Sequence, residues 1–127
     1  SKDFINKALR VRKVFGGGMR QAGYLAAAGI YALAHHRDRL SEDHRKAAEI
    51  ASLLKTKGFI AHVAPVDTNI IIFELDETRC TQEVFMQKMQ ENQVRLISMG
   101  GGKLRLVTHM DYTQQMHERF LDILDSL

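Results

Sequence analysis

Apolar positions recur at helical spacing near both ends of the chain and alternate in between. Phe4, Ala8, Val11 and Phe15 share one helical face while Lys7, Arg10 and Lys13 lie elsewhere on the wheel, which predicts a helix over residues 2–15. Gly16, Gly17 and Gly18 stop it, because three successive glycines lose too much backbone freedom to continue a helix. A second helix is predicted from Met19 or Arg20 to about His36. Its stretch Leu25–Ala34 reads Leu-Ala-Ala-Ala-Gly-Ile-Tyr-Ala-Leu-Ala and has no polar face. A helix apolar on all sides must be covered on all sides. A short chain has little material to do this and still build another core, so the expectation is that another part of the same protein or a partner subunit covers it.

From residue 40 onward the pattern changes. Ser41 is a candidate cap for a third helix, with Glu42 and Asp43 in its first turn and Ala47, Ile50, Ala51 and Leu54 as its buried stripe. Residues 59–66 and 69–75 read as strands, the second rich in β-branched residues, with Pro65 to Thr68 as the turn. A fourth helix is predicted over Thr81–Asn92, then a short strand over Val94–Ser98 and a loop at Gly100–Gly102. Lys103–His109 alternates, with Leu104, Leu106 and Thr108 on one face and Lys103, Arg105, Val107 and His109 on the other. Asp111 and Gln114 suggest a capping box for a last helix carrying Met116, Phe120, Leu124 and Leu127 on one side. The order α-β-β-α-β-β-α predicts an α+β arrangement, a small mixed or antiparallel sheet with helices on one face.

Composition narrows the class. The chain has 127 residues, 45% hydrophobic and 26% charged, which is ordinary globular usage and excludes wholesale disorder. The longest mostly apolar stretch, Gln21–Ala34, is too short to span a bilayer, so no membrane partner is expected, and no signal peptide is visible. The single cysteine, Cys80, excludes an internal disulfide framework and a multi-cysteine zinc site, and a reducing compartment is the natural reading. The net charge of +3 conceals an asymmetry: residues 1–46 carry ten Lys or Arg against four Asp or Glu. An anionic partner is therefore to be sought at the basic end, unless that end is simply a solvated helix face.

Three groups of residues carry candidate chemistry. The run Gly16-Gly17-Gly18-Met19-Arg20-Gln21 opens into a helix, where free amides, Arg20 in the first turn and the preceding Lys13 would suit a phosphate; a plain interhelical linker is the other reading. Arg105 is a lone arginine in mid-strand, placed either to clamp a carboxylate rigidly or to face solvent from an amphipathic strand. The six histidines show no zinc-like spacing, His109 reads as structural, and Cys80 has no base nearby. Nucleic acid is not an expected partner, since Phe4, Phe15 and Tyr24 are spaced as core residues rather than interleaved with the cations.

The run Leu9–Gly29, with its Phe15-Gly16-Gly17-Gly18-Met19-Arg20-Gln21-Ala22-Gly23 centre, resembles the glycine-rich signature of the L-threonine aldolases of the low-specificity type, which are fold type I pyridoxal-phosphate enzymes. Asp43-His44, Asp67-Thr68-Asn69 and Lys103-Leu104-Arg105-Leu106-Val107-Thr108-His109-Met110-Asp111 match the family in the same order. The resemblance covers nearly the whole chain and implies its last third. Residues 1–36 would be the end of a large α/β cofactor domain with its connecting helix, and residues 37–127 the C-terminal small α+β domain. It implies cleavage of L-threonine or L-allo-threonine to glycine and acetaldehyde, with pyridoxal phosphate as the electron sink.

The resemblance carries over residue by residue at three positions. Arg105 would hold the substrate carboxylate, and Lys13 and Arg20 would stand near the cofactor phosphate, in their own or a neighbouring subunit's site. No catalytic or metal-binding residue is assigned. The family's Schiff-base lysine belongs to a segment ahead of the matched signature, so the 127 residues alone are expected to be inactive. A homo-oligomer, dimer or tetramer, and a cytoplasmic location, or a mitochondrial one given an upstream transit peptide, complete the expectations. Another fold type I lyase, or a stand-alone amino-acid- or anion-binding module, are the alternatives.

Overall fold

Helix α1 (Lys2–Val14) starts at Ser1, whose Oγ accepts the Phe4 amide, with Asp3 in the first turn and Arg12 and Lys13 in the last, all favourable to the helix dipole. Helix α2 spans Gly23–His35. Then follow α3 (Leu40–Leu54), β1 (Ile60–Val63), β2 (Ile70–Leu75), α4 (Gln82–Glu91), β3 (Ile97–Gly100), β4 (Lys103–Val107) and α5 (Gln114–Asp125). The computed structural model describes residues 1–127, which divide into two units, Ser1–Asp38 and Arg39–Leu127, each described by itself.

In the first unit the glycine run closes α1. Gly16, at φ +79°, donates to the Lys13 carbonyl and Gly17 to the Arg12 carbonyl, at 3.3 and 2.8 Å. This paired bonding around a left-handed residue satisfies the last carbonyls of the helix. A side chain at Gly17 would bring its Cβ within 2.7 Å of Arg12 Cγ, so the run is required by the turn. Helix α2 begins later than expected, and Arg20 lies in the turn ahead of it rather than in its first turn. No residue of α2 is buried; Tyr24 and Leu33 are 85% and 73% exposed.

The second unit is the α+β body. Its four strands form one antiparallel sheet in the order β1-β2-β4-β3. Ile71, Phe73 and Leu75 of β2 and Leu104 of β4 are buried with Ala47, Ile50, Ala51 and Leu54 of α3, Phe85 and Met89 of α4, and Phe120, Ile123 and Leu124 of α5. The helices thus cover one face of the sheet. Phe85 meets Phe73 edge-on at 5.9 Å between centroids and Phe59 at 6.0 Å, joining α4 to the sheet by aromatic contacts.

Several ends differ from the sequence reading. Helix α3 begins at Leu40 with Arg39 as its cap residue, so Ser41 sits inside it; Arg39 instead pairs with the buried Asp43 through two hydrogen bonds of 3.2 and 3.3 Å. Helix α5 is capped by Thr113, whose Oγ1 accepts the Met116 amide, not by an Asp111–Gln114 box. Its buried stripe is His117, Phe120, Ile123 and Leu124, and Met116 is exposed. The face is turned because His117 is buried with partners for both ring nitrogens, Glu49 and Tyr112.

Candidate functional site: an arginine-lined cleft beside strand β4

Strand β4 lies between β2 and β3, and its middle residue pairs on both sides. Arg105 stands opposite Ile72 on β2 and Ile97 on β3. Paired residues share a face, so the aliphatic stem of Arg105 runs between two isoleucines while its charged head extends beyond them. Its Nε is buried and has no hydrogen-bond partner. A buried donor left without an acceptor costs roughly 1–3 kcal/mol, and more on a charged group. Lys103, on the same face, is engaged by Glu74 at 3.6 Å.

Arg105 lines a cleft of about 530 Å³. The other walls are the segment Asn92–Arg95, residues Leu106–His109, Tyr112, and Met116, Arg119, Phe120 and Ile123 of α5, with Ile50 of α3. Three arginines, Arg95, Arg105 and Arg119, border the cleft and no Asp or Glu does. Arg119 is held by the Asn92 carbonyl at 3.2 Å. The charges suit an anion, and a carboxylate is the kind of acceptor that would satisfy the orphaned Nε.

The loop leaving β4 is fastened to α3. The Thr108 hydroxyl donates to the Asp43 carbonyl at 2.7 Å, and Asn69 Nδ2 donates to the Thr108 carbonyl at 2.7 Å. Lys46 Nζ, 1% exposed, donates to the Tyr112 carbonyl at 2.8 Å and pairs with Glu42 at 2.7 Å. Burial pushes the Tyr112 phenol far above its ordinary pKa, so it stays protonated throughout the working range. His109 also borders the cleft, and its Nδ1 accepts the Asp111 amide at 3.2 Å.

Lys13 and Arg20 stand in the first unit, at the two ends of the glycine turn, both exposed. A Cβ at Gly18 would come within 2.9 Å of Lys13 Cδ and 3.4 Å of Lys13 Nζ, so the lysine lies along the turn. The expected phosphate cradle is not formed by the amides of Gly16 and Gly17, which are bonded to α1. Sequence reasoning missed Tyr112, Arg95 and Arg119, which line the cleft, and Lys46 and His117, which contact Tyr112. For His117 the signal was present, since it precedes Phe120 and Leu124 by three and seven positions.

A family model for beta-eliminating lyases matches residues 1–78. The chain belongs to the beta-eliminating lyase family. Within it the chain is 40% identical over 115 residues to low-specificity L-threonine aldolase 1 of Arabidopsis thaliana, covering 89% of this chain and 32% of that protein. It is 39% identical over 115 residues to the low specificity L-threonine aldolase of Escherichia coli strain K12, covering 91% of this chain and 33% of that protein. This beta-eliminating lyase chain therefore spans about a third of the length of these relatives. Its fold is similar to part of the crystal structure of the ornithine aminotransferase from Toxoplasma gondii ME49, with a TM-score of 0.56 and 15% identity over 70% of this chain and 23% of that one.

Proposed function

We propose that this chain is the C-terminal part of a pyridoxal-phosphate-dependent L-threonine aldolase, and that Arg105 holds the carboxylate of the amino-acid substrate. The observation that carries the reading is the buried, unpartnered Nε of Arg105 in a cleft bordered by arginines and by no acid. The similarity to low-specificity L-threonine aldolases supports the choice of substrate.

Of the groups in this chain, the side chains of Lys13 and Arg20 fit the cofactor phosphate, being exposed cations on either side of one turn. The amides of Gly16 and Gly17 do not fit it, since α1 uses them. When bound, the cofactor supplies an electron sink for cleavage of the bond between Cα and Cβ. Arg105 neutralises and orients the carboxylate, and so fixes the direction in which the rest of the amino acid projects. Met116, Phe120 and Ile123 give the cleft an apolar side that limits water around that ion pair. In the same reading α2, apolar and without a buried residue, belongs to a subunit contact of the full-length homo-oligomer.

The test uses the full-length protein. It is expected to convert L-threonine to glycine and acetaldehyde, and Arg105→Ala is expected to raise KM for threonine. Loss of a charged hydrogen bond of this kind costs roughly 2–4 kcal/mol, about thirty- to a thousandfold in kcat/KM. An unchanged kcat/KM in the folded variant removes Arg105 from the site. Products other than glycine and acetaldehyde assign the chain to a different lyase.

A further inference from the structure

We infer that Glu49, His117 and Tyr112 form a positioning relay that holds the Tyr112 ring as a fixed wall of the Arg105 cleft. The inference rests on the reading of that cleft as the substrate pocket. His117 is 1% exposed and both ring nitrogens are engaged: Nε2 lies 2.7 Å from Glu49 Oε2, and Nδ1 lies 3.3 Å from the Tyr112 hydroxyl. An ionised Glu49 can only accept, so Nε2 carries a hydrogen, and of the two neutral tautomers the carboxylate selects the one with Nδ1 bare. Nδ1 is then the acceptor, and the Tyr112 hydroxyl is the donor. The direction of the tyrosine's hydrogen is thus set by a carboxylate two groups away. The other oxygen of Glu49 accepts Arg45 at 2.6 Å, which keeps the carboxylate in place.

Tyr112 is held elsewhere as well. Lys46 Nζ donates to its carbonyl and lies 5.6 Å from the ring centroid, and the His117 ring meets the tyrosine ring edge-on at 5.7 Å. Glu49 and Lys46 both come from α3, while His117 comes from α5, so two packed helices converge on one residue of the cleft. Such a residue has given up its rotamer freedom before ligand arrives, and binding need not do so. The relay therefore acts on the affinity for the amino acid and not on bond cleavage, which makes His117 and Glu49 positioning residues.

The experiment compares Tyr112→Phe, His117→Gln and His117→Asn. Glutamine places its amide near Nε2 and keeps Glu49 satisfied while leaving Tyr112 without its acceptor; asparagine places its amide near Nδ1 and restores that acceptor. In the full-length protein, His117→Gln and Tyr112→Phe are expected to raise KM about five- to tenfold, as for one lost hydrogen bond, with kcat within about twofold, and His117→Asn to recover most of the loss. The double variant Tyr112→Phe with His117→Gln is expected to be no worse than either single one. Unchanged KM in folded His117→Gln with threonine cleavage intact overturns the relay.

A second readout is independent of activity. In crystals of the full-length protein, the Tyr112 ring is expected in one position with its hydroxyl at hydrogen-bond distance from His117 Nδ1, and displaced or split between rotamers in His117→Gln. A ring in the same single position in the variant overturns the relay whatever the activity. Absence of threonine cleavage by the unaltered full-length protein overturns the proposed reaction and leaves the ring measurement to decide the relay.

Discussion

The Thr108 hydroxyl donates to the backbone carbonyl of Asp43 at 2.7 Å, and both residues are buried, at 2% and 3% exposure. One hydrogen bond thus fastens the residue just past β4 to the first turn of α3, three positions beyond Arg105. The Asp43 side chain is itself paired with Arg39, so neither end of the connection is free to drift.

Thr108→Val keeps the shape and removes the donor. The Asp43 carbonyl then loses a buried partner, and the expected cost is about 1–3 kcal/mol. Urea denaturation of the variant should show a lower midpoint with an unchanged slope, since the surface exposed on unfolding is the same.

Glu49 predicts a pH dependence. The hydrogen bond from His117, and then that from Arg45, hold its carboxyl below the usual glutamate range. The folded form therefore takes up the proton less readily than the unfolded chain. Its contribution is fully present above the usual value, about 4.3, and is lost as pH falls through the lowered folded value. Glu49→Gln should be less stable than the parent at pH 7, and the gap between the two should narrow on acidification through that window. A gap that stays constant with pH would show that the carboxylate is not what matters.

Helix α4 ends on a strained residue. Gln93 has φ 64°, and its amide bonds the Gln90 carbonyl at 2.9 Å while the Val94 amide bonds that of Met89 at 2.8 Å. This is the bonding that Gly16 and Gly17 provide for α1, here with a side chain in the left-handed position. Gln93→Gly relieves the strain and should stabilise the protein by about 1 kcal/mol, raising Tm by a few degrees. An unchanged or lower Tm would mean that contacts of the glutamine side chain outweigh the backbone cost.

The elements were legible because their periodicities were clean. Ile70–Leu75 and Lys103–Val107 follow from alternation and β-branching, and α4 follows from the cap at Thr81. Mid-strand placement also brought Arg105 forward as a candidate. Helix starts were less legible where long-range pairing replaced a local cap, as when Arg39 reached Asp43 in place of a Ser41 cap. Lys46 is fully buried, yet a lysine beside the stripe Ala47–Ile50–Ala51–Leu54 reads as solvent-facing. Its burial depends on Tyr112, 66 positions away, and no window of sequence contains both. At Gly16 and Gly17 a helix end and an anion would compete for the same amides, and sequence does not say that the helix takes them.

Arg105 occupies the middle of a strand bonded along both edges, so its base cannot swing as a loop residue would. The backbone at Arg105 therefore offers a fixed base, and only the torsions of its own long side chain can change the reach of the guanidinium. In the proposed role, the strand sets the point from which the guanidinium is presented, and the length of that one side chain sets how far from the sheet an acid group can lie and still be met.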